Sequence, residues 1–122
     1  MKPKIKYTYL QLHQLTVALS FYCNTFRLLN ENAENILVYI IILKLKDRLQ
    51  QKLSSKKKQY SIVYTADESF AFIILVKNKT LCTSNIFINT VITETYTIIQ
   101  DTFTNFKHTL RSYSNDLMLL SK

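Results

Sequence analysis

The sequence predicts an all-α fold, an antiparallel four-helix bundle, and three observations carry that prediction. Apolar residues recur at steps of three and four along most of the chain, as the core-facing stripe of a helix requires. The 122 residues include no glycine and a single proline, Pro3. Two-residue hairpins and helix C-caps both lean on glycine, so a few long helices suit this chain better than many short strands. The turns must then be made by Asn, Ser and Lys. The alternative is an α+β fold: two N-terminal helices, a small antiparallel sheet and a C-terminal helix. Either way the length suits one domain, residues 1–122, with 1–5 and 54–59 as flexible basic segments.

The first helix is expected from about Lys6 to Leu29. Leu12, Leu15, Leu19, Tyr22, Phe26 and Leu29 form one stripe, and Leu10, Val17, Phe21 and Leu28 a second. A face this broad fits a helix with two neighbours. Asn30–Asn35 supplies the break, with Asn30 or Asn32 as cap and Glu31 and Glu34 near the positive helix end.

The second helix runs to about Leu53 and holds the most apolar stretch, Ile36–Leu43, which is expected to lie at the centre of the core. Its stripe continues through Val38, Ile42, Leu45, Leu49 and Leu53, while Lys44, Lys46, Arg48 and Lys52 suit a helix C-terminus. After the polar connection Ser54–Gln59, the alternation of Tyr60, Ile62 and Tyr64 reads as extended chain. Thr65-Ala66-Asp67-Glu68 matches a capping box before the apolar run Phe70–Val76, which predicts a third helix from Ala66 to about Lys77.

The region from Ile86 to Ile98 carries both patterns. Alternation and dense Thr favour a strand. A helical stripe of Ile88, Ile92, Thr95, Ile99, Phe103, Phe106, Leu110, Tyr113 and Leu117 outlasts any strand, so a fourth helix is expected from about Asn85 to Arg111. Ser112–Asn115 should break it before a terminal turn. No internal repeat stands out.

The formal net charge is +8, and it is unevenly placed. Through Tyr60 the chain carries eleven cations against Glu31, Glu34 and Asp47, whereas beyond it the charges balance. Antiparallel packing would bring Lys2, Lys4 and Lys6 towards Lys44, Lys46, Arg48, Lys52, Lys56, Lys57 and Lys58. Lys107 and Arg111 join them if the fourth helix returns to that end. Such a basic pole can bind phosphates, with Tyr7, Tyr9 and Tyr60 placed to stack on bases. The expected partners are therefore nucleic acid or an acidic protein. The competing reading is a homodimerising bundle whose lysines serve only solubility.

Other chemistry finds little footing. Cys23 and Cys82 lack paired spacing and are expected as reduced, buried thiols in a cytoplasmic protein. The basic start lacks a small-residue cleavage site, and the longest apolar run is far shorter than a membrane span. His13 and His108 stand apart from further metal ligands, Glu94 and Asp101 fit a solvated helix face, and a phosphate loop needs glycine. The expectation is a non-catalytic accessory module without cofactor or metal.

Overall fold

The computed structural model describes residues 2–29, 31–81 and 83–120, with side chains of the last helix described through Asn105. The element order is β1 (Lys4–Thr8), α1 (Tyr9–Thr25), α2 (Ala33–Leu53), β2 (Gln59–Val63), α3 (Ala66–Lys77) and α4 (Ile86–Leu120). The chain is mostly helical, with the two strands joined as a small antiparallel sheet. A pure bundle is thus not what forms, and the α+β alternative fits, although with its strands differently placed. Tyr60–Val63 is extended as expected, and Phe70–Val76 and Ile86–Ile98 are helical, as the expected third and fourth helices require. The second strand comes from Lys4–Thr8, where a tail and a helix start were expected. Its alternation is short: Ile5 and Tyr7 are buried between exposed Lys4, Lys6 and Thr8.

Side-chain caps set the helix starts. Thr8 Oγ1 accepts from the Gln11 amide at 3.2 Å while Gln11 Oε1 accepts from the Thr8 amide at 2.9 Å. Thr65 and Glu68 repeat that reciprocal box before α3, at 3.2 and 2.8 Å. Asn32 and Asn85 cap α2 and α4 through their side-chain carbonyls. Within Thr-rich α4, the Thr90, Thr97 and Thr102 hydroxyls donate to carbonyls one turn back, so the helix carries its β-branched residues without stranding polar groups. The helix continues through Ser112–Asn115, where a break was expected. Two positions beyond helix ends, Lys56 and Lys79, take positive φ of 51° and 57°, the role glycine fills in other chains.

One face of each helix builds the core. Leu12, Leu15 and Leu19 of α1 meet Ile42, Leu45 and Leu49 of α2, with Ile62, Tyr64, Phe72 and Ile99 also fully buried. Two expectations change here. The second stripe of α1 faces solvent, with Leu10, Val17 and Phe21 exposed and Leu28 exposed beyond the helix. Within Ile36–Leu43 only Val38 and Ile42 are buried, while Leu37 and Ile40 are exposed. α2 packs chiefly on α1 and α3, so among the described residues part of its all-round apolar surface stays uncovered.

The arrangement contains an internal repeat that sequence reading did not find. Ile5-Lys6-Tyr7-Thr8 and Gln11 correspond to Ile62-Val63-Tyr64-Thr65 and Glu68, at the separation of 57 that divides Tyr7 from Tyr64. Each set is a strand entering a capping box. Applied further, that offset pairs buried Pro3 with Tyr60, Leu15 with Phe72, Ala18 with Leu75, Val38 with Thr95 and Ile42 with Ile99.

The strand register agrees. Ile5 pairs with Ile62, its own equivalent, and Lys4↔Val63 exchanges with Lys6↔Ser61. A local two-fold axis therefore passes through the Ile5–Ile62 pair. It also relates Tyr7↔Tyr60 to the bond that the Tyr64 amide donates to Pro3 O at 2.9 Å. The helix packing follows suit: α1 rests on α2 and α4, and α3 on α4 and α2. The chain is two βαα units joined head to tail, related by a pseudo-two-fold through the ribbon.

Close to the axis the two equivalent tyrosines meet. Tyr7 Oη lies 2.7 Å from Tyr64 Oη and 2.8 Å from Thr95 Oγ1. Burial pushes the Tyr7 phenol from 10.0 up to about 12, its bonds to Thr95 and Tyr64 pulling the other way, and it raises Tyr64 as well. A folded state that holds these protons more tightly than the unfolded chain loses stability as pH rises. That contribution is complete below pH 10 and lost towards pH 12, so urea midpoints should fall across this interval. Tyr7→Phe should cost about 1–3 kcal/mol at neutral pH by stranding two buried hydroxyls. Coupling between Tyr7→Phe and Tyr64→Phe in a double-mutant cycle would confirm the shared bond. Lys56→Gly should stabilise by up to about 1 kcal/mol, since the left-handed backbone there penalises a Cβ; chemical denaturation reads it directly.

Candidate functional site

Alternation in two paired strands sorts side chains to opposite faces, and the outer face is where the chain departs from ordinary packing. Inward go Ile5, Tyr7, Tyr60 and Ile62, all buried. Outward go Lys4, Lys6 and Thr8 from β1, and Gln59, Ser61 and Val63 from β2, all exposed. Among the described residues no helix covers this face. Lys2 precedes it and Lys56–Lys58 lead into it, each exposed.

A groove opens beside β2, lined by Arg48, Gln51, Lys52, Ser55 and Lys57, with Gln59, Tyr60 and Ser61 of the ribbon. The C-terminal turns of α2 form its wall, so the helix dipole adds a negative end that its lysines offset. Arg48 is held in place: its guanidinium donates to the Val63 carbonyl at 3.1 Å and to Glu68 Oε1 at 2.7 Å. It ties α2 to β2 and to the capping box of α3. Lys52 and Lys57 form no ion pair among the described residues, leaving two cations facing the groove.

The twelve cations expected in one pole therefore divide. The ribbon and groove unite Lys4, Lys6, Lys52 and Lys57, with Lys2, Lys56 and Lys58 adjoining. Arg48 shares the groove but is engaged structurally. Half-buried Lys46 pairs with Asp47 at 2.9 Å and lies near Cys23 on the side of α2 that meets α1. Lys44 is exposed, one position beyond Leu43 on α2. Lys107 and Arg111 lie outside the described side chains. The proposed stacking trio also changes. Tyr7 and Tyr60 are buried, with Tyr60 Oη accepting from the Lys57 amide at 2.8 Å. Tyr9 alone is accessible, stacked on His13 with centroids 6.2 Å apart.

Sequence reading missed Thr8, Gln59, Ser61 and Val63 as parts of this surface. The signal existed in Thr8-x-x-Gln11, a capping box like Thr65-x-x-Glu68, which would have started the first helix after Thr8 and freed Lys4–Thr8 as a strand.

Among the described residues no group of three or more His, Cys, Asp or Glu could hold a metal ion. Cys23 is buried and free, and burial pushes its thiol upward despite nearby Lys46, which makes it a poor nucleophile. Glu94 and Asp101 are both exposed on α4. Among the described residues no helix is long and apolar enough to cross a membrane. The chain matches no protein-family model, no curated protein and no solved structure.

Arg48 and Lys52, both lining the groove, give different expectations for stability. Arg48→Met should cost about 1–2 kcal/mol by leaving Glu68 and the Val63 carbonyl without their charged donor. Lys52→Met should stay within about 0.5 kcal/mol of the parent, as for other exposed positions; paired urea titrations test the contrast.

Proposed function

We propose that the chain is a non-catalytic module that binds double-stranded DNA by placing the outward face of its β-ribbon in the major groove. The carrying observation is the uncovered ribbon face, where Lys4, Lys6, Thr8, Gln59 and Ser61 present donors and acceptors beside one apolar side chain, Val63. The major groove of B-form DNA, about 12 Å wide, admits a two-stranded ribbon and displays a distinct donor–acceptor pattern for each base pair. Ribbon readers of this kind use side chains on one sheet face for bases and flanking groups for phosphates. Lys52 and Lys57 line the groove beside the ribbon and supply the flanking cations for phosphates. The free, buried Cys23 thiol accords with a cytoplasmic location.

Mobility-shift or anisotropy titrations with duplex DNA at about 50 and 300 mM salt test this reading, because each phosphate neutralised contributes a unit or so to the salt slope. Lys4→Ala/Lys6→Ala should weaken duplex binding at least tenfold, and Lys52→Ala/Lys57→Ala should lower the salt slope by about 2. Retention on heparin without duplex binding would assign the surface to an acidic protein instead.

A second reading rests on α1. Leu10, Val17 and Phe21 form an exposed stripe on its outer side, with Phe21 67% accessible. Such a stripe suits self-association of two copies. Sedimentation equilibrium of the parent and of Val17→Ser/Phe21→Ser decides it, a monomer in both refuting it.

A further inference from the structure

The two-fold through Ile5 and Ile62 makes the scaffold nearly symmetric, but the groups it carries outward are not. The axis exchanges Lys4 with Ser61, Lys6 with Val63 and Lys2 with Gln59, while Thr8 exchanges with Thr65. Every cation on the ribbon face thus belongs to β1, and β2 offers a hydroxyl, a methyl pair and an amide. The asymmetry extends to the flank. The offset of 57 sets Arg48, on the groove wall, against Asn105, which carries no charge. On the ribbon the first-half charge excess is therefore a difference between two strands that the axis exchanges.

A ribbon in the major groove runs along it, so each strand of the ribbon faces one edge of the groove. Lysine finds its best base partner in guanine, whose O6 and N7 are both acceptors, whereas apolar groups favour the thymine methyl and serine accepts either partner type. Resting on the DNA-binding reading, we propose that the duplex site is non-palindromic despite the two-fold of the fold. Guanines lie on the edge facing β1, read by Lys4 and Lys6. The opposite edge faces β2 and meets Ser61 and Val63. The shape of the scaffold would then set a centred site, while the unlike ribbon strands orient the protein on it in a single direction.

Selection from a randomised duplex library with the full chain tests this. The parent should enrich a consensus without two-fold symmetry, with guanines concentrated on one strand and each worth roughly tenfold in affinity. Ser61→Lys/Val63→Lys places lysine at all four equivalent positions, both changes on exposed side chains. It should enrich a palindromic consensus with guanines on both strands. Lys4→Ser/Lys6→Val matches the two strands at these four positions and removes both β1 lysines, and the guanine preference should disappear. Circular dichroism of each variant confirms the fold. A palindromic consensus for the parent, or one unchanged in either variant, overturns the inference. Duplex retention with no enriched sequence overturns it too while leaving DNA binding intact. No duplex retention at any salt overturns the proposed function and this inference together.

Discussion

The pairing of Ile5 with Ile62 across the ribbon is the constraint from which the rest of the molecule follows. A two-stranded ribbon is marginal by itself, and these strands hold only because their inner face is sealed by helices. The register turns Ile5, Tyr7, Tyr60 and Ile62 towards Leu12, Leu15, Leu49 and Phe72 in the core. A slip of one residue would bury lysines and expose the isoleucines and tyrosines, so the core fixes the register strongly. The same register brings the Tyr7 and Tyr64 hydroxyls to 2.7 Å, with Thr95 completing a chain of buried donors and acceptors. Hydroxyls so placed are satisfied only in this one alignment, which adds specificity to the apolar contacts.

Strand and helix are coupled by the caps. Each strand leads into a threonine that closes a capping box, Thr8 at the end of β1 and Thr65 two residues beyond β2, so the chain passes from extended to helical within a short span. Glu68 serves both its cap and Arg48, and Arg48 in turn holds the Val63 carbonyl. α2, β2 and α3 are thereby fastened at one corner, beside the groove that leads to the ribbon face. The outer face keeps its freedom because everything that needs burial points the other way. The surface proposed for DNA is in this sense a by-product of satisfying the core: strict alternation leaves one side chain outward for each one inward.

Much of the helical structure was legible. The stripes of α2 and α3, the cap at Asn32 and the box at Thr65 are local features, and local chemistry suffices to read them. The long Thr-rich helix was legible through its period, which continues past what a strand can sustain. Less legible was β1. Lys4–Thr8 offers just two inward residues, too few for a period, and the apolar stripe of α1 follows without a break. The exposed stripe at Leu10, Val17 and Phe21 was equally hidden, since an apolar residue on a helix does not announce whether a neighbour exists to cover it. The repeat escaped because its equivalences conserve burial and not residue type: Leu15 matches Phe72, and Val38 matches Thr95.

By itself the sequence determined the number of helices, the caps at Asn32 and Thr65, the absence of glycine turns and the concentration of positive charge in the first half. These depend on neighbours within a few residues or on composition alone. Only the tertiary structure decided that Lys4–Thr8 is a strand, that it pairs with Gln59–Val63, and that the pairing creates a two-fold between unlike units. Strand pairing joins residues far apart in the chain, and its register is settled by which side chains the shared core accepts. So the sequence could count the lysines, but the fold had to sort them. Lys46 and Arg48 went into ion pairs, while Lys4 and Lys6 went to the open face of the ribbon.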